Sequence, residues 1–373
     1  MSRVETRCRE HPNNPKAVNA ACAGKRETVK GQAYLLLLLV GLAGCATTPP
    51  PSISAYMDSL ASAQEFSGTV IVTRGDERLL AQAYGFADRA RGIRNTLDTK
   101  FRIGSITKQF TAMAVLLLAE RGAIRLDDSI AHYVPEAPRS WQGIRVHHLL
   151  NHTSGLMHSW EWPGFAATMV LPRTLDESIQ RYYTQPLLSS PGTRFHYSGV
   201  GYFVLAKLVE TVSGGPFDAF LEAQILGPLG MRNTGGERPE SSSENRAQGY
   251  VRDSRGVHRA PSIYLPALAG GGNLYSTAPD LVLWDQALRR GRFISPVSYK
   301  AMYRPGLGDY GFGWFVGYRW GRTELSHSGG LPGFDSHILR VPEAQLAVIV
   351  LSNVASTGMA ARSIAERVRD RVL

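Results

Sequence analysis

The alternation of hydrophobic and polar positions predicts strands near both ends of the chain. An amphipathic helix is expected over 53–63, followed by β-rich runs at 66–73 and 79–85 that Arg74, Gly75 and Asp76 join as a hairpin. Further β-rich runs and a closing helix come near the C-terminus, at 312–318, 323–326, 336–341 and 346–351, and at 358–372. Strand-forming segments therefore lie at both ends.

The segment between them is predicted to be mainly helical. Apolar residues recur at helical spacing over 105–121, where Gly122 ends the helix, and residues 124–300 read as helices joined by long loops. Strands at both ends with a helical block between them imply one antiparallel sheet flanked by helices. The expected fold is mixed α/β, of the α+β type, over 53–373, with the helical insertion at about 124–300.

The N-terminal segment has the three regions of a secretory signal. Basic residues precede an apolar stretch from Leu35, which is too short to cross a bilayer as a helix, and small residues lead up to Cys45. Residues 42–45 resemble the bacterial lipobox, which implies that Cys45 is lipidated and that Ala46 directs the protein to the outer membrane. We expect an N-terminal extension and signal over 1–44, a lipidated tether over 45–52, and attachment to the periplasmic face of the cell envelope.

Charge and cysteine content exclude several classes of protein. The formal charge is +10, but residues 1–44 hold seven of the 41 basic and three of the 31 acidic residues, and the other basic residues are scattered. A nucleic-acid-binding face is therefore not predicted. Cys45 is the last of the three cysteines, so the segment after it has neither a disulfide framework nor a cysteine metal site.

Three separate segments carry residues suited to nucleophilic catalysis. Ser105 and Lys108 are three positions apart at the start of a very apolar helix, so the amine can reach the hydroxyl and burial can lower its pKa. Tyr197 lies in a loop before another helix, and His327, Ser328, Gly329 and Gly330 follow a short strand. Polar groups at the ends of distant elements are typical of a composite active site.

The order of these motifs resembles the serine β-lactamase and penicillin-binding-protein superfamily. The tyrosine and histidine versions point to the branch with class C β-lactamases, D-aminopeptidases, carboxypeptidases and related esterases. Residues 148–156, 270–280 and 310–314 match as well. The resemblance covers about residues 53–370 and implies a β-lactamase/transpeptidase-like fold.

The resemblance also implies roles for individual residues. Ser105 would be the nucleophile, and Lys108 and Tyr197 would share general-base work, with a phenolate-like Tyr197 stabilised by the Lys108 ammonium. The backbone N–H groups of Ser105 and Gly330 would bind the oxyanion. His327, Ser328 and Gly329 would contact substrate, and Trp314 could form a wall of the cleft. Neither a metal nor an organic cofactor is expected, because protein groups supply every role.

Two departures from the family pattern bear on the substrate. The tripeptide of residues 197–199 ends in Gly199, where the family usually has asparagine, and His327 stands where lactamases mostly have lysine. A neutral imidazole is a poorer partner for a substrate carboxylate than an ammonium group. Both changes favour an esterase or a hydrolase of D-amino-acid peptides or amides over a β-lactamase.

Several other histidine and tryptophan residues could take part in function, but a structural role is the simpler interpretation for the histidines. His147, His148 and His152 are close enough for a zinc site to be imaginable, but no carboxylate partner lies nearby in the sequence, which favours structural histidines. Trp160 and Trp162 lie in a loop that could cover the site.

The sequence thus predicts a lipid-anchored serine hydrolase for small ester or peptide substrates. The alternatives are a β-lactamase, a D-alanyl-D-alanine carboxypeptidase, or a non-catalytic penicillin-binding-like sensor.

Overall fold

The computed structural model describes residues 52–238, 244–356 and 360–373. The α-helices are α1 (Ile53–Ser62), α2 (Thr107–Glu120), α3 (Val146–Leu150), α4 (Phe165–Thr168), α5 (Leu175–Gln180), α6 (Gly199–Ser213), α7 (Phe217–Leu221), α8 (Gly227–Leu229), α9 (Ala278–Arg289), α10 (Pro296–Met302) and α11 (Ala361–Val372). The strands are β1 (Gly68–Arg74), β2 (Glu77–Tyr84), β3 (Phe86–Asp88), β4 (Ile93–Arg94), β5 (Phe101–Arg102), β6 (Gly235–Gly236), β7 (Tyr250–Asp253), β8 (Gly256–Arg259), β9 (Leu274–Ser276), β10 (Phe315–Arg319), β11 (Arg322–Leu331), β12 (Phe334–Val341), β13 (Leu346–Ser352) and β14 (Val354–Ser356).

Strands from both ends of the chain form one antiparallel sheet, as the sequence predicts. Its six strands are ordered β10–β11–β12–β13–β1–β2. The N-terminal and C-terminal parts meet where β1 pairs with β13, in a register that runs from Gly68 opposite Ser352 to Arg74 opposite Leu346. The predicted α+β architecture is therefore confirmed.

Both faces of this sheet are covered by helices. On β1, Val70 and Val72 pack into a layer with α1 and α11, whereas Ile71 faces the larger core that contains α2, α6 and α9. Alternate residues of a strand point to opposite faces, so a strand buried on both sides is almost continuously apolar. The active-site elements belong to the larger core.

The structure differs from the prediction at several element boundaries and within the helical insertion. Strand β11 continues to Leu331, beyond the predicted end at 326, so His327 to Gly330 lie within a strand. The predicted helical insertion also contains the short strands β6 to β9, and β9 pairs with β5 and β6. The last helix begins at Ala361 rather than at 358.

The N-terminal predictions fall outside the described part of the chain. The structure does not describe residues 1–51, which include the predicted signal segment, Cys45 and most of the tether. In the described part, none of the helices has the length and apolar character needed to cross a bilayer.

Candidate active site

Ser105 lies in a tight turn that packs directly against strand β11. The 3-10 turn Gly104–Ile106 leads into α2, and Gly104 has φ +51°. A Cβ on Gly104 would lie 3.1 Å from the backbone nitrogen of Gly330, and one on Gly329 would lie 1.8 Å from the carbonyl oxygen of Ile103. Only glycine permits this approach, which brings the Gly330 amide beside Ser105.

Lys108 is buried on the first turn of α2 and reaches the serine. Its Nζ donates to Ser105 Oγ at 3.1 Å and to the Gly271 carbonyl at 2.7 Å. Only 1% of the residue is exposed, and no ion pair with a carboxylate is found for it in the described residues. Burial lowers its pKa to about 7, because an ammonium group without a counter-ion is poorly solvated there. A neutral amine is therefore accessible near neutral pH.

Tyr197 faces the same lysine from the loop before α6. The Lys108 Nζ lies 5.0 Å from the centre of the Tyr197 ring. Burial raises the pKa of Tyr197, and a hydrogen bond with Ser105 opposes that shift only in part. The phenolate-like tyrosine of the sequence interpretation is therefore disfavoured, because burial favours the neutral forms of both side chains. Lys108 is the group with a pKa suited to a base.

His152 holds the Tyr197 loop in place, a role that the sequence interpretation covered only as a structural histidine. Its ring is fully buried, 4.2 Å from the Tyr197 ring centre. The Ser198 amide donates to His152 Nδ1 at 3.1 Å, and the His196 amide donates to the His152 carbonyl at 2.8 Å. Burial and the nearby Lys108 hold the pKa of His152 well below its usual range, so it stays neutral.

His327 is fully engaged within the protein. It is 2% exposed, and its Nδ1 donates to the Ser328 carbonyl at 2.6 Å while Nε2 accepts from Tyr310 Oη at 2.9 Å. The Ser328 carbonyl can only accept a hydrogen bond, so the proton of the His327 ring must be on Nδ1. Burial, with a smaller effect of Lys108, lowers its pKa to about 3. His327 is thus neutral and has no ring nitrogen left for a substrate carboxylate.

Two other predicted substrate contacts also have internal partners. Ser328 Oγ bonds with His337 Nδ1 at 2.8 Å. Trp314 is completely buried, with its ring centre 6.0 Å from that of Tyr303, and it does not line the cleft. Phe315, the next residue, stacks instead on Tyr197, with ring centres 6.5 Å apart and an angle of 11°. Trp314 immediately precedes β10 and is buried, whereas Phe315 is the first residue of that strand and is partly exposed.

One wall of the cleft over Ser105 contains His158, a residue that sequence reasoning did not single out. The 3-10 turn Ser159–Glu161 and the preceding His158 form this wall. The lining residues are Gly104, Ser105, Lys108, His158, Ser159, Trp160, Gly199, Phe203, Leu268, Gly271, Gly272, Gly330 and Leu331. Trp160 therefore borders the site, as its loop position suggested.

No metal site accompanies these groups in the part of the chain that the structure describes. No cluster of three or more histidine, cysteine, aspartate or glutamate side chains is arranged there to hold a metal ion. His148 Nδ1 accepts the Arg145 amide at 3.1 Å, a contact that caps α3.

Comparison with known proteins places the chain in a family. The family model described as Beta-lactamase matches residues 53–373. The chain is 30% identical to penicillin-binding protein 4* of Bacillus subtilis over 81% of this chain and 71% of that protein. It is 31% identical to esterase EstB of Burkholderia gladioli over 82% of this chain and 91% of that protein.

A solved structure agrees with these matches. The penicillin-binding protein of Bacillus halodurans superposes with a TM-score of 0.76 at 25% identity, over 84% of this chain and 98% of that one. The family-model match to residues 53–373 includes all six strands of the main sheet as well as Ser105, Lys108 and Tyr197. The chain belongs to the beta-lactamase family of serine hydrolases.

Proposed function

We propose that this serine hydrolase forms an acyl-enzyme on Ser105 and acts on small uncharged esters. The contact between Lys108 Nζ and Ser105 Oγ carries the proposal, since it places a base with a pKa of about 7 on a hydroxyl. A serine needs such a neighbour to become nucleophilic.

The reaction follows from these groups. Ser105 Oγ attacks the ester carbonyl while its proton passes to the neutral Lys108 amine. The negative charge on the former carbonyl oxygen is held by the backbone N–H groups of Ser105 and Gly330. The leaving oxygen takes a proton from the Tyr197 hydroxyl as that bond breaks, and the Lys108 ammonium passes its own proton to Tyr197 in the same step, so that both side chains end neutral. Water hydrolyses the acyl-enzyme by the reverse sequence.

The preference for uncharged substrates rests on the absence of a carboxylate partner. Lys108 is the only cationic side chain among the described lining residues, and both nitrogens of His327 are occupied. A substrate carboxylate would lose its water without gaining a charged donor, which costs free energy. D-amino-acid peptides or amides remain the second candidate, supported by 26% identity over 80% of this chain to the D-alanyl-D-alanine-carboxypeptidase/endopeptidase AmpH of Escherichia coli.

We also propose that the hydrolase is exported and held at the outer membrane by lipid on Cys45. The basic, apolar and small-residue regions before that cysteine support this proposal.

Labelling with a fluorophosphonate probe tests the enzymatic part of the proposal. The natural protein should be labelled and should hydrolyse short aryl esters, and Ser105→Ala should do neither. Ser190→Ala, which removes an exposed serine hydroxyl, is the matched control and should behave like the natural protein. Undiminished labelling of Ser105→Ala would show that another serine is the nucleophile.

A further inference from the structure

His158 occupies the space into which a side chain at position 199 would extend. A Cβ on Gly199 would lie 3.1 Å from Ser159 Oγ and 3.6 Å from His158 Cε1. The imidazole stacks on Tyr197 with ring centres 5.4 Å apart and an angle of 21°. The glycine and the histidine therefore depend on each other, because a larger residue at 199 would displace this ring.

The orientation of the imidazole assigns its proton. His158 Nδ1 accepts the Trp160 amide at 3.2 Å, so it carries no hydrogen. Glu161 Oε2 accepts the His158 amide at 2.8 Å and fixes the same turn. Burial, with a further contribution from Lys108, lowers the pKa of His158 to about 4. A neutral imidazole with Nδ1 as an acceptor has its hydrogen on Nε2.

This Nε2–H group has no hydrogen-bond partner among the described residues. The ring lines the cleft together with Ser105, Lys108 and Gly330. A donor on the wall of a reaction cleft can bind an uncharged oxygen of the substrate, and it discriminates against substrates that lack the oxygen.

We propose that His158 is a specificity-determining residue whose Nε2–H binds an ether or carbonyl oxygen in the acyl group of the substrate. This inference rests on the proposed function and names its substrate class as esters with an oxygen acceptor near the scissile carbonyl. The acceptor is uncharged, because the donor is a neutral imidazole.

Two esters of nearly the same shape isolate this contact. p-Nitrophenyl methoxyacetate and p-nitrophenyl butyrate differ by an oxygen in place of one methylene group, and the ratio of their kcat/KM values, compared between variants, cancels their intrinsic reactivities. In His158→Asn, the side-chain oxygen can still accept the Trp160 amide, but the donor in the cleft is lost. Loss of one uncharged hydrogen bond should lower the ratio roughly two- to tenfold.

Companion variants distinguish the contact from a structural role. His158→Gln supplies an amide donor near the Nε2 position and should restore part of the ratio. Gly199→Asn should lower the ratio, because the side-chain atoms beyond its Cβ would enter the space of the imidazole ring, whose Cε1 lies only 3.6 Å from that Cβ. Gly201→Ala is its control on the same helix, since a Cβ there meets the nearest atom at an ordinary 3.5 Å.

The outcomes separate this inference from the proposed function. If the natural protein hydrolyses neither ester, the proposed function fails. If it hydrolyses both, an unchanged ratio in His158→Asn overturns the specificity role. An equal loss of both activities in that variant also overturns it, because the residue would then act through structure alone.

Discussion

Replacement of Lys108 by methionine should make the protein more stable near neutral pH while abolishing hydrolysis. The lysine is buried, and no carboxylate pairs with it in the described residues. Its pKa falls from 10.5 to about 7 on folding. The unfolded chain therefore binds a proton that the folded protein partly releases, so between these two values the free energy of unfolding rises with pH.

The size of the effect follows from the shift. Protonation of the lysine favours the unfolded chain by roughly 4 kcal/mol at about pH 7.5 and by only roughly 1 to 2 kcal/mol at about pH 9.5. Methionine has no such cost, but it loses two hydrogen bonds worth about 1 kcal/mol each. The variant should thus be roughly 2 kcal/mol more stable at the lower pH and about equal to the natural protein at the higher one.

Urea unfolding followed by tryptophan fluorescence at the two pH values measures this difference. Lys300→Met is the control, because Lys300 is exposed on α10 and its ammonium stays hydrated in the folded protein. The difference in the free energy of unfolding between this control and the natural protein should be the same at the two pH values. A difference between Lys108→Met and the natural protein that is the same at both pH values would refute the argument that burial lowers this pKa.

Further predictions concern rate, substrate and location. Tyr197→Phe should lower kcat/KM for aryl esters at least about 100-fold, the usual size of a general acid–base contribution; an unchanged rate would exclude the tyrosine from proton transfer. The rate should fall about tenfold per pH unit below about pH 7, since Lys108 must be neutral to accept the proton; a profile that stays flat to about pH 5 would contradict that role. Short aryl esters should be cleaved with a kcat/KM at least roughly 100-fold above that of a chromogenic cephalosporin, because the cephalosporin carboxylate finds no cationic partner at His327 and its acylamido group finds no side-chain amide at Gly199. Comparable turnover of the two substrates would show that other groups hold the carboxylate. Cys45→Ser should move the protein from the membrane to the soluble fraction, and mass spectrometry that finds an unmodified N-terminus upstream of residue 45 would contradict lipidation.

The sheet and the central site residues could be predicted because local patterns define them. Strand β13 is apolar except for Ser352, and β1 has the apolar run Val70 to Val72 at its centre, as burial on two faces requires. The spacing of Ser105 and Lys108 is a property of a single helical turn, and α2 is buried along most of its length. The hydrogen bond between them follows from local geometry.

The other parts of the site depend on contacts that are distant in sequence. Strand β11 continues through its glycines because the adjacent strand pairs with them, which local β propensity does not reveal. His158 lies in an irregular segment without periodicity, and only the missing side chain at Gly199 hints that another residue fills that space. The side chain of Trp314 is buried, and its neighbour Phe315 is the aromatic that packs on Tyr197; the sequence does not show which of the two adjacent rings turns inward.

The contact between Gly104 and Gly329 makes the reactive centre depend on both ends of the chain. These glycines are more than two hundred positions apart in the sequence, and their backbones touch only once β11 has joined the sheet. Before that, the serine has neither the Gly330 amide beside it nor the enclosure that lowers the pKa of Lys108. An incomplete chain that already contains Ser105 and Lys108 is therefore chemically inert, and the protein acquires its nucleophile only when its two ends have been joined.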